Sequence, residues 1–135
     1  MNLIEQLSRD EGRKARLYQD TVGKWTCGVG RNASDVPFSD DEIDLMLAND
    51  IQRVYTALVQ YPWFMELDDV RRGAIQNMAF NLGVSGLLHF PTMIACLSQK
   101  DWEGAAAAMA DSLWARQVGD RAKRLEQQIL AGIWV

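Results

Sequence analysis

Apolar residues recur at helical spacing over most of the 135-residue chain, and residues 13–38 are the main exception. The first periodic segment, residues 2–12, predicts a helix that ends at Gly12, because glycine readily adopts the positive φ found at helix ends. Its apolar face consists of Leu3, Ile4 and Leu7. Glu11 therefore falls in the last turn of this helix.

The segment from Leu17 to Arg31 changes to short runs of β-forming residues separated by glycines. The β-formers are Tyr18, Val22, Trp25, Thr26 and Val29, and the glycines are Gly23, Gly28 and Gly30. This pattern predicts a small antiparallel hairpin or a three-stranded sheet. Residues 32–38 are predicted to form a loop around Pro37.

Helical periodicity returns near residue 40. Ser39 and Glu42 have the spacing of a capping box, which predicts a long helix over residues 40–59. After a break at residues 61–64, residues 67–82 predict a central core helix that Gly83 ends. Shorter helices are then expected at residues 91–97 and 103–111, with a turn at residues 83–86. Trp114 is expected to anchor a short segment, and Leu125 and Ile129 indicate a last helix before Gly132. The elements together predict an α+β chain.

The net charge of −4 is unevenly distributed. Residues 35–69 contain nine acidic residues and one basic residue, so this segment carries −8 and the remainder +4. Such segregation either orients a polyanionic substrate toward the basic part or reflects solvated helix faces. The acidic balance, without a basic stripe interleaved with aromatics, argues against nucleic acid as a partner. Because no signal-peptide pattern and no long apolar run is visible, we expect no stable membrane association.

The cysteines and the histidine give little indication of a metal site. Cys27 and Cys96 are far apart and lack CxxC spacing, so we expect reduced, semi-buried thiols without a disulfide. His89 is the single histidine, and we interpret it as a helix-end or surface residue. We expect neither a cofactor nor a metal ion.

Two carboxylates and a hydroxyl lie in and around the predicted sheet: Glu11, Asp20 and Thr26. Hydrolysis of an acetal needs one carboxylic acid to protonate the leaving oxygen and one carboxylate on the other side of the bond. A carboxyl at a helix C-terminus, partly out of water, favours the neutral form, whereas one in an exposed turn stays ionised. Taken singly, Glu11 is equally consistent with an ion pair, Asp20 with a turn, and Thr26 with a strand.

The spacing of these residues carries a family resemblance. Glu11-Gly12, Tyr18, Asp20, Gly23, Thr26, Gly28 and Gly30 resemble the active-site region of the phage-type lysozymes, the T-even phage endolysin family (glycoside hydrolase family 24). Residues 67–83 resemble the buried central helix of that family, and Trp102, Ser112, Trp114 and residues 121–124 resemble its C-terminal helical lobe. The resemblance covers nearly the whole chain. Around residues 31–39 the chain lacks most of the family's longer sheet and helix insertion.

The resemblance implies one lysozyme-like α+β domain with a cleft between two lobes. The parts would be a small N-terminal antiparallel sheet lobe (13–38), a connecting helix (40–59), and a larger helical lobe (60–135) joined by helix 2–12. It also implies a cofactor-independent muramidase that hydrolyses the β-1,4 bond between N-acetylmuramic acid and N-acetylglucosamine in bacterial peptidoglycan. Glu11 would be the general acid, Asp20 would activate water, and Thr26 would position that water. Because the family inverts anomeric configuration, we predict a carboxyl separation of roughly 6.5–9.5 Å.

Predicted substrate contacts are Phe80, Asn81, Arg121, Arg124 and Trp25. Asn81 would contact an acetamido sugar and the two arginines the peptide carboxylates, although helix capping and solvation account equally well for the arginines. Phe80 and Trp25 are equally consistent with packed aromatic side chains. The family's histidine after the Gly-x-Gly is replaced by Arg31, for which we predict an ion pair with Asp50.

Two other functions remain open. A lytic transglycosylase needs one catalytic acid and no water, and the presence of both Asp20 and Thr26 argues against it. A lysozyme-derived domain that binds peptidoglycan without cleaving it is the other. By resemblance we expect a monomer that accumulates in the host cytoplasm and reaches the wall, in the periplasm, after release through a holin.

Overall fold

The computed structural model describes residues 1–135 and contains nine helices and one three-stranded sheet. The elements are α1 (Leu3–Glu11), β1 (Lys14–Gln19), β2 (Trp25–Gly28), β3 (Arg31–Asn32), α2 (Asp40–Leu58), α3 (Pro62–Met65), α4 (Asp69–Leu82), α5 (Val84–Leu87), α6 (Pro91–Ser98), α7 (Trp102–Ala110), α8 (Leu113–Val118) and α9 (Asp120–Ala131). The predicted α+β fold is confirmed. None of the helices is both long enough and apolar enough to cross a membrane.

The contacts divide the chain into two compact units, residues 1–46 and 47–135, with the boundary inside α2. By these contacts α1 belongs to the first unit, whereas the sequence analysis grouped residues 2–12 with the helical lobe. The apolar face of α1 is largely exposed, with Leu3 65% and Ile4 77% accessible. The single-domain organisation remains a prediction.

The first unit is built from local capping and antiparallel pairing. Asn2 caps α1, because its side chain accepts from the Glu5 amide and the Glu5 carboxylate accepts from the Asn2 amide. The strands are antiparallel in the order β1-β2-β3. Thr26, in the middle strand, lies opposite Tyr18 on one side and Asn32 on the other. Only 6% exposed, Thr26 is the most buried residue of this unit.

The start of α2 confirms the predicted capping box. The Ser39 hydroxyl accepts from the Glu42 amide at 3.2 Å, and the Glu42 carboxylate accepts from the Ser39 amide at 3.0 Å. Two of the amides that a helix start leaves unpaired are thereby satisfied.

The second unit contains the hydrophobic core, and α4 is its central helix as predicted. Ala74, Ile75, Met78 and Ala79 of α4 are all buried. They pack in a cluster with buried residues of the other helices, including Leu58, Phe64, Leu87, Met93, Leu97, Met109, Leu125 and Ile129. Burying each large aliphatic or aromatic side chain contributes roughly 1.5–3 kcal/mol, so this cluster dominates the stability of the unit.

Arg71, in α4, forms hydrogen bonds with the C-terminal end of α9. Its guanidinium donates to the carbonyl oxygens of Ile129 at 2.7 Å and Leu130 at 3.2 Å. It also pairs with Asp68 at 2.8 Å and lies over the ring of Trp102, 4.0 Å from the centroid. Because the last carbonyls of a helix lack intrahelical donors, Arg71 supplies the cap that α9 needs.

Two single-turn helices were not predicted. Residues 61–64, expected to be a break, include the start of α3, and the expected turn at residues 83–86 forms most of α5. Each helix has four residues, which is about one turn and too short to produce a recognisable hydrophobic period. In α3 the position of Pro62 at the helix start is the local signal, because proline is favoured there.

Candidate active site in the first unit

Glu11 is the last residue of α1, and its side chain is exposed. Gly12 follows with φ 74° and donates its N–H to the Ser8 carbonyl at 3.1 Å, which ends the helix. The Glu11 side chain extends to the β2–β3 turn, where Gly30 approaches it closely. A Cβ on Gly30 would lie 2.8 Å from Oε2 of Glu11. The absence of a side chain at position 30 therefore leaves the space that the Glu11 carboxylate occupies.

Asp20 both forms the β1–β2 turn and presents a carboxylate. Its Oδ1 accepts from the amides of Val22 at 2.9 Å and Lys24 at 2.8 Å. Its own amide donates to the Lys24 carbonyl at 2.9 Å, and its carbonyl accepts from Gly23 at 3.1 Å. No protein group bonds Oδ2. The turn therefore uses Oδ1 of Asp20 and leaves Oδ2 available for other contacts.

Thr26 is bonded to the same residue that holds Asp20. Its hydroxyl donates to the Lys24 carbonyl at 3.1 Å. With that proton committed, Oγ1 of Thr26 keeps its lone pairs to accept a hydrogen bond. The structure thus brings Asp20 and Thr26 together on the backbone of Lys24, within the unit that contains Glu11.

Trp25 is the first residue of β2, directly before Thr26 in the chain, and is 49% exposed. Its amide donates to Oγ of Ser34 at 2.9 Å, and its carbonyl accepts from Ala33 at 2.8 Å. The exposed ring is available for stacking, and the predicted sugar contact by Trp25 remains a prediction.

The predicted ion pair between Arg31 and Asp50 is wrong. Arg31 pairs with Glu42, with Nη2 2.8 Å from Oε2, and also lies over the ring of Phe38. Asp50 instead pairs with Arg53, three residues away in α2, at 2.7 Å. The capping box explains the difference, because it already places the Glu42 carboxylate at the N-terminus of α2, within reach of Arg31.

The Arg31 hydrogen bond, followed by the amide of Ser39, lowers the pKa of Glu42 from its ordinary value of 4.5 to about 2. A depressed folded-state pKa contributes stability that is present above pH 4.5 and is lost as the pH falls toward 2. We therefore expect the difference in unfolding free energy between the wild type and Glu42→Gln to be constant at neutral pH and to shrink toward pH 2. Urea unfolding at a series of pH values measures this difference.

The control for this pH dependence is Arg31→Gln. In that background, Glu42→Gln should give a difference that varies much less with pH, because the largest cause of the pKa shift is gone. An unchanged pH dependence would contradict the assignment of the shift to Arg31.

The other predicted substrate residues lie in the second unit. Phe80 and Arg121 line the same pocket of about 410 Å³, together with Leu47, Ile51, Val54, Gly73, Gln76, Asn77 and Trp134. Arg121 donates to Oδ1 of Asn77 at 2.9 Å, and Oδ1 of Asn81 accepts from the Trp114 indole at 2.9 Å. Arg124 is exposed and has no acidic partner. The substrate contacts of these residues stay predictions.

No group of three or more His, Cys, Asp or Glu side chains is placed to hold a metal ion. Both cysteines are free, and desolvation, followed by the charge of Asp101, raises the pKa of the Cys96 thiol. His89 lies at the surface with Nδ1 2.8 Å from the Ser85 carbonyl. None of the three residues contributes to the arrangement around Asp20.

This arrangement also includes Lys24, Ser34 and Asp35, which were not predicted from the sequence. Lys24 holds both Asp20 and Thr26 through its backbone, and its Nζ pairs with Asp35 at 3.1 Å. The composition of residues 32–35, Asn-Ala-Ser-Asp, is typical of a turn, so the turn itself was predictable from the sequence. The contact of Asp35 with Lys24, however, joins residues eleven positions apart, and it forms only when β2 and β3 are paired.

Comparison with known proteins matches this chain to one family. The Phage lysozyme family model matches residues 8–129, which is most of the chain and includes Glu11, Asp20 and Thr26. The chain belongs to the phage lysozyme family.

Among its relatives, the chain is 32% identical, over 98% of its length, to the pre-baseplate central spike protein Gp5 of Enterobacteria phage T4. It spans only 28% of that larger protein. It is 27% identical to probable T4-type lysozyme 1 of Dictyostelium discoideum, covering 97% of this chain and 95% of the relative. It is 30% identical to the endolysin of Salmonella phage P22, covering 84% of this chain and 80% of the relative.

Proposed function

We propose that this protein is a muramidase that hydrolyses the β-1,4 bond between N-acetylmuramic acid and N-acetylglucosamine in bacterial peptidoglycan, with inversion and without a cofactor. Membership of the phage lysozyme family supports a glycosidase, and the names of relatives called lysozyme and endolysin agree with it. The observation that carries the residue assignment is that the Asp20 and Thr26 side chains are both hydrogen-bonded to the backbone of one residue, Lys24.

In this mechanism Glu11 is the general acid that protonates the leaving oxygen, and Asp20 is the base that activates water. The free Oδ2 of Asp20 and the lone pairs of Thr26 Oγ1 are both acceptors. A water that donates one proton to each would keep an oxygen lone pair for attack on the anomeric carbon. Inversion requires such a water between carboxylate and sugar, and it fits carboxyl groups roughly 6.5–9.5 Å apart.

Substrate contacts are proposed for Trp25 in the first unit and for Phe80, Asn81, Arg121 and Arg124 in the second. Two aromatic rings suit stacking on sugar faces, an amide suits an acetamido group, and two guanidinium groups suit the peptide carboxylates. We further propose action on the wall after holin-mediated release from the host cytoplasm, as a monomer.

The test is digestion of purified peptidoglycan in ¹⁸O-water, followed by mass spectrometry and proton NMR of the first products. Hydrolysis adds one water for each bond cleaved and places its ¹⁸O on the anomeric carbon of the new reducing end, and inversion of a β bond gives the α anomer first. A lytic transglycosylase would instead give unlabelled anhydro-sugar products, and a non-catalytic domain would bind peptidoglycan without releasing fragments.

The Asp20→Asn variant distinguishes hydrolysis from lytic transglycosylation. The asparagine keeps Oδ1 as an acceptor for Val22 and Lys24, so the turn is retained while the base is lost. The variant should be nearly inactive if water attack needs a base. Retained cleavage would favour the transglycosylase, which needs only the acid.

Gly30→Ala is expected to disturb Glu11 directly. The φ of 64° costs a non-glycine residue about 1 kcal/mol, and the new Cβ would lie 2.8 Å from Oε2 of Glu11. We expect the rate of peptidoglycan cleavage to fall by about tenfold or more, since small displacements of reacting groups are costly. Kinetics on purified peptidoglycan measure this.

Gly28→Ala is the matched control, because Gly28 has a φ of 62° and nothing within 4 Å of an added Cβ. It should show the same loss of stability and a much smaller loss of activity. Equal activity losses would show that backbone strain, and not contact with Glu11, limits the rate.

A further inference from the structure

The turn that follows β3 contacts Lys24, whose backbone bonds both Asp20 and Thr26, and the next residue, Trp25. We name the four residues involved, Lys24, Asn32, Ser34 and Asp35, the Lys24 clasp. Within it, Oγ of Ser34 accepts from the Trp25 amide at 2.9 Å, and the Trp25 carbonyl accepts from the Ser34 amide at 3.3 Å. The turn is therefore bonded to the residue between Lys24 and Thr26.

Asp35 is the point where the clasp reaches the Lys24 side chain. Its Oδ1 lies 3.1 Å from Nζ of Lys24, and its Oδ2 accepts from Nδ2 of Asn32 at 2.9 Å. Both hydrogen bonds lower the pKa of Asp35, that of Lys24 being the larger cause. Asn32 is the cross-strand partner of Thr26, and its Oδ1 accepts from the amides of Ser34 and Asp35, both at 3.1 Å. Asp35 therefore joins the β3 end of the sheet to the turn that carries Asp20.

Lys24 transmits this restraint to the two proposed reacting groups by its backbone. Its amide fixes Oδ1 of Asp20 at 2.8 Å, and its carbonyl accepts the Thr26 hydroxyl at 3.1 Å. A displacement of the Lys24 backbone would therefore disturb the hydrogen bonds of both side chains. No other residue of the first unit bonds to both of them.

Stability alone is a poor explanation for the Lys24–Asp35 ion pair. The two side chains are 43% and 54% exposed, and ion pairs this accessible add little to folding. Chemical steps, by contrast, respond strongly to the placement of reacting groups. The exposed Lys24–Asp35 contact is therefore better explained by a role in positioning the Asp20 and Thr26 side chains than by a role in stability.

We propose that Asp35 is a positioning residue for the hydrolysis proposed above, which acts through Lys24 to fix the Asp20 carboxylate and the Thr26 hydroxyl. The inference rests on the proposed function. Because Asp35 touches neither reacting group, removing it should change kcat and leave KM nearly unchanged.

The kinetic experiment compares Asp35→Ala, Lys24→Met and the double variant on soluble peptidoglycan fragments. Each single variant should lower kcat by about tenfold, with KM within about twofold of the wild type. The double variant should be no worse than either single variant, since both remove the same restraint. Lys123→Met is the matched control, because it removes an exposed Lys–Asp pair of the second unit, with Asp120 at 3.5 Å, and should leave kcat unchanged.

A second measurement does not depend on turnover. The backbone amide signals of Val22 and Lys24 report the hydrogen bonds to Asp20, and NMR can follow their shifts and their hydrogen exchange. In Asp35→Ala the Lys24 amide should shift and lose protection, while the Gly132 amide, which donates to the Gln128 carbonyl at the end of α9, remains as in the wild type. A lower melting temperature with unchanged kcat would indicate a structural role only and would overturn the proposal.

The two measurements separate the possible failures. If the wild type cleaves and Asp35→Ala has unchanged kcat and amide signals, the positioning role is wrong and the proposed function stands. If the wild type does not cleave but the Lys24 amide responds to Asp35→Ala, the restraint is real and the proposed function fails. Additive losses in the double variant would also overturn the proposal, because the two residues would then act separately.

Discussion

Replacing Glu11 by glutamine is expected to lower the rate of peptidoglycan cleavage by about 10²–10⁴-fold, the usual contribution of a general acid. Glutamine keeps the size of the side chain and cannot donate a proton to the leaving oxygen. Glu11 is exposed and its carboxylate bonds no protein group, so the substitution should change stability little. Turbidity loss of purified walls and fragment release measure the rate, and circular dichroism checks the fold.

The matched control is Glu66→Gln, an exposed glutamate that caps the end of α3 in the second unit. It loses the same charge and should retain full activity. If Glu11→Gln cleaves at a rate within a few-fold of this control, Glu11 is not the acid, and the other exposed carboxylates become the candidates.

Arg71→Ala is expected to cause the largest loss of stability, about 3 kcal/mol. The substitution removes the donors to two carbonyls at the end of α9, the pair with Asp68 and the contact with the Trp102 ring. The Arg71 side chain is only 13% exposed, so water replaces these bonds poorly. Urea unfolding measures the loss, and Arg71→Lys should recover part of it, since the ammonium keeps the charge without the planar fork.

Arg72→Ala is the control from the adjacent position in α4. Arg72 pairs with Asp69, whose side chain is 89% exposed, so this pair should contribute less than about 1 kcal/mol. Comparable losses for Arg71→Ala and Arg72→Ala would mean that removal of a charge from α4, and not the lost cap of α9, causes the destabilisation.

Local patterns predicted most of the elements because their causes are local. The Ser39–Glu42 box involves residues three apart, and both of its hydrogen bonds form as the spacing indicates. The core face of α4 followed from helical periodicity in the same way. The single-turn helices α3 and α5 escaped prediction because four residues contain about one period.

The site was predictable in its residue types and less so in its connections. Glu11, Asp20 and Thr26 were selected by spacing and resemblance, and their catalytic roles remain proposals. The Arg31–Asp50 pair failed because position in a family alignment says nothing about a nearer carboxylate, and Glu42 was nearer. The contact of Lys24 with Asp35 depends on strand pairing, which a one-dimensional pattern does not contain.

The Asp20 turn has a consequence for stereochemistry. Two amides hold Oδ1, so the carboxylate cannot rotate about its Cβ–Cγ bond without losing both hydrogen bonds. In the proposed mechanism a base of fixed orientation accepts a proton from one direction only, so water attacks one face of the sugar ring. Glycan substituents and peptide cross-links would then alter the rate of cleavage without altering which anomer is formed.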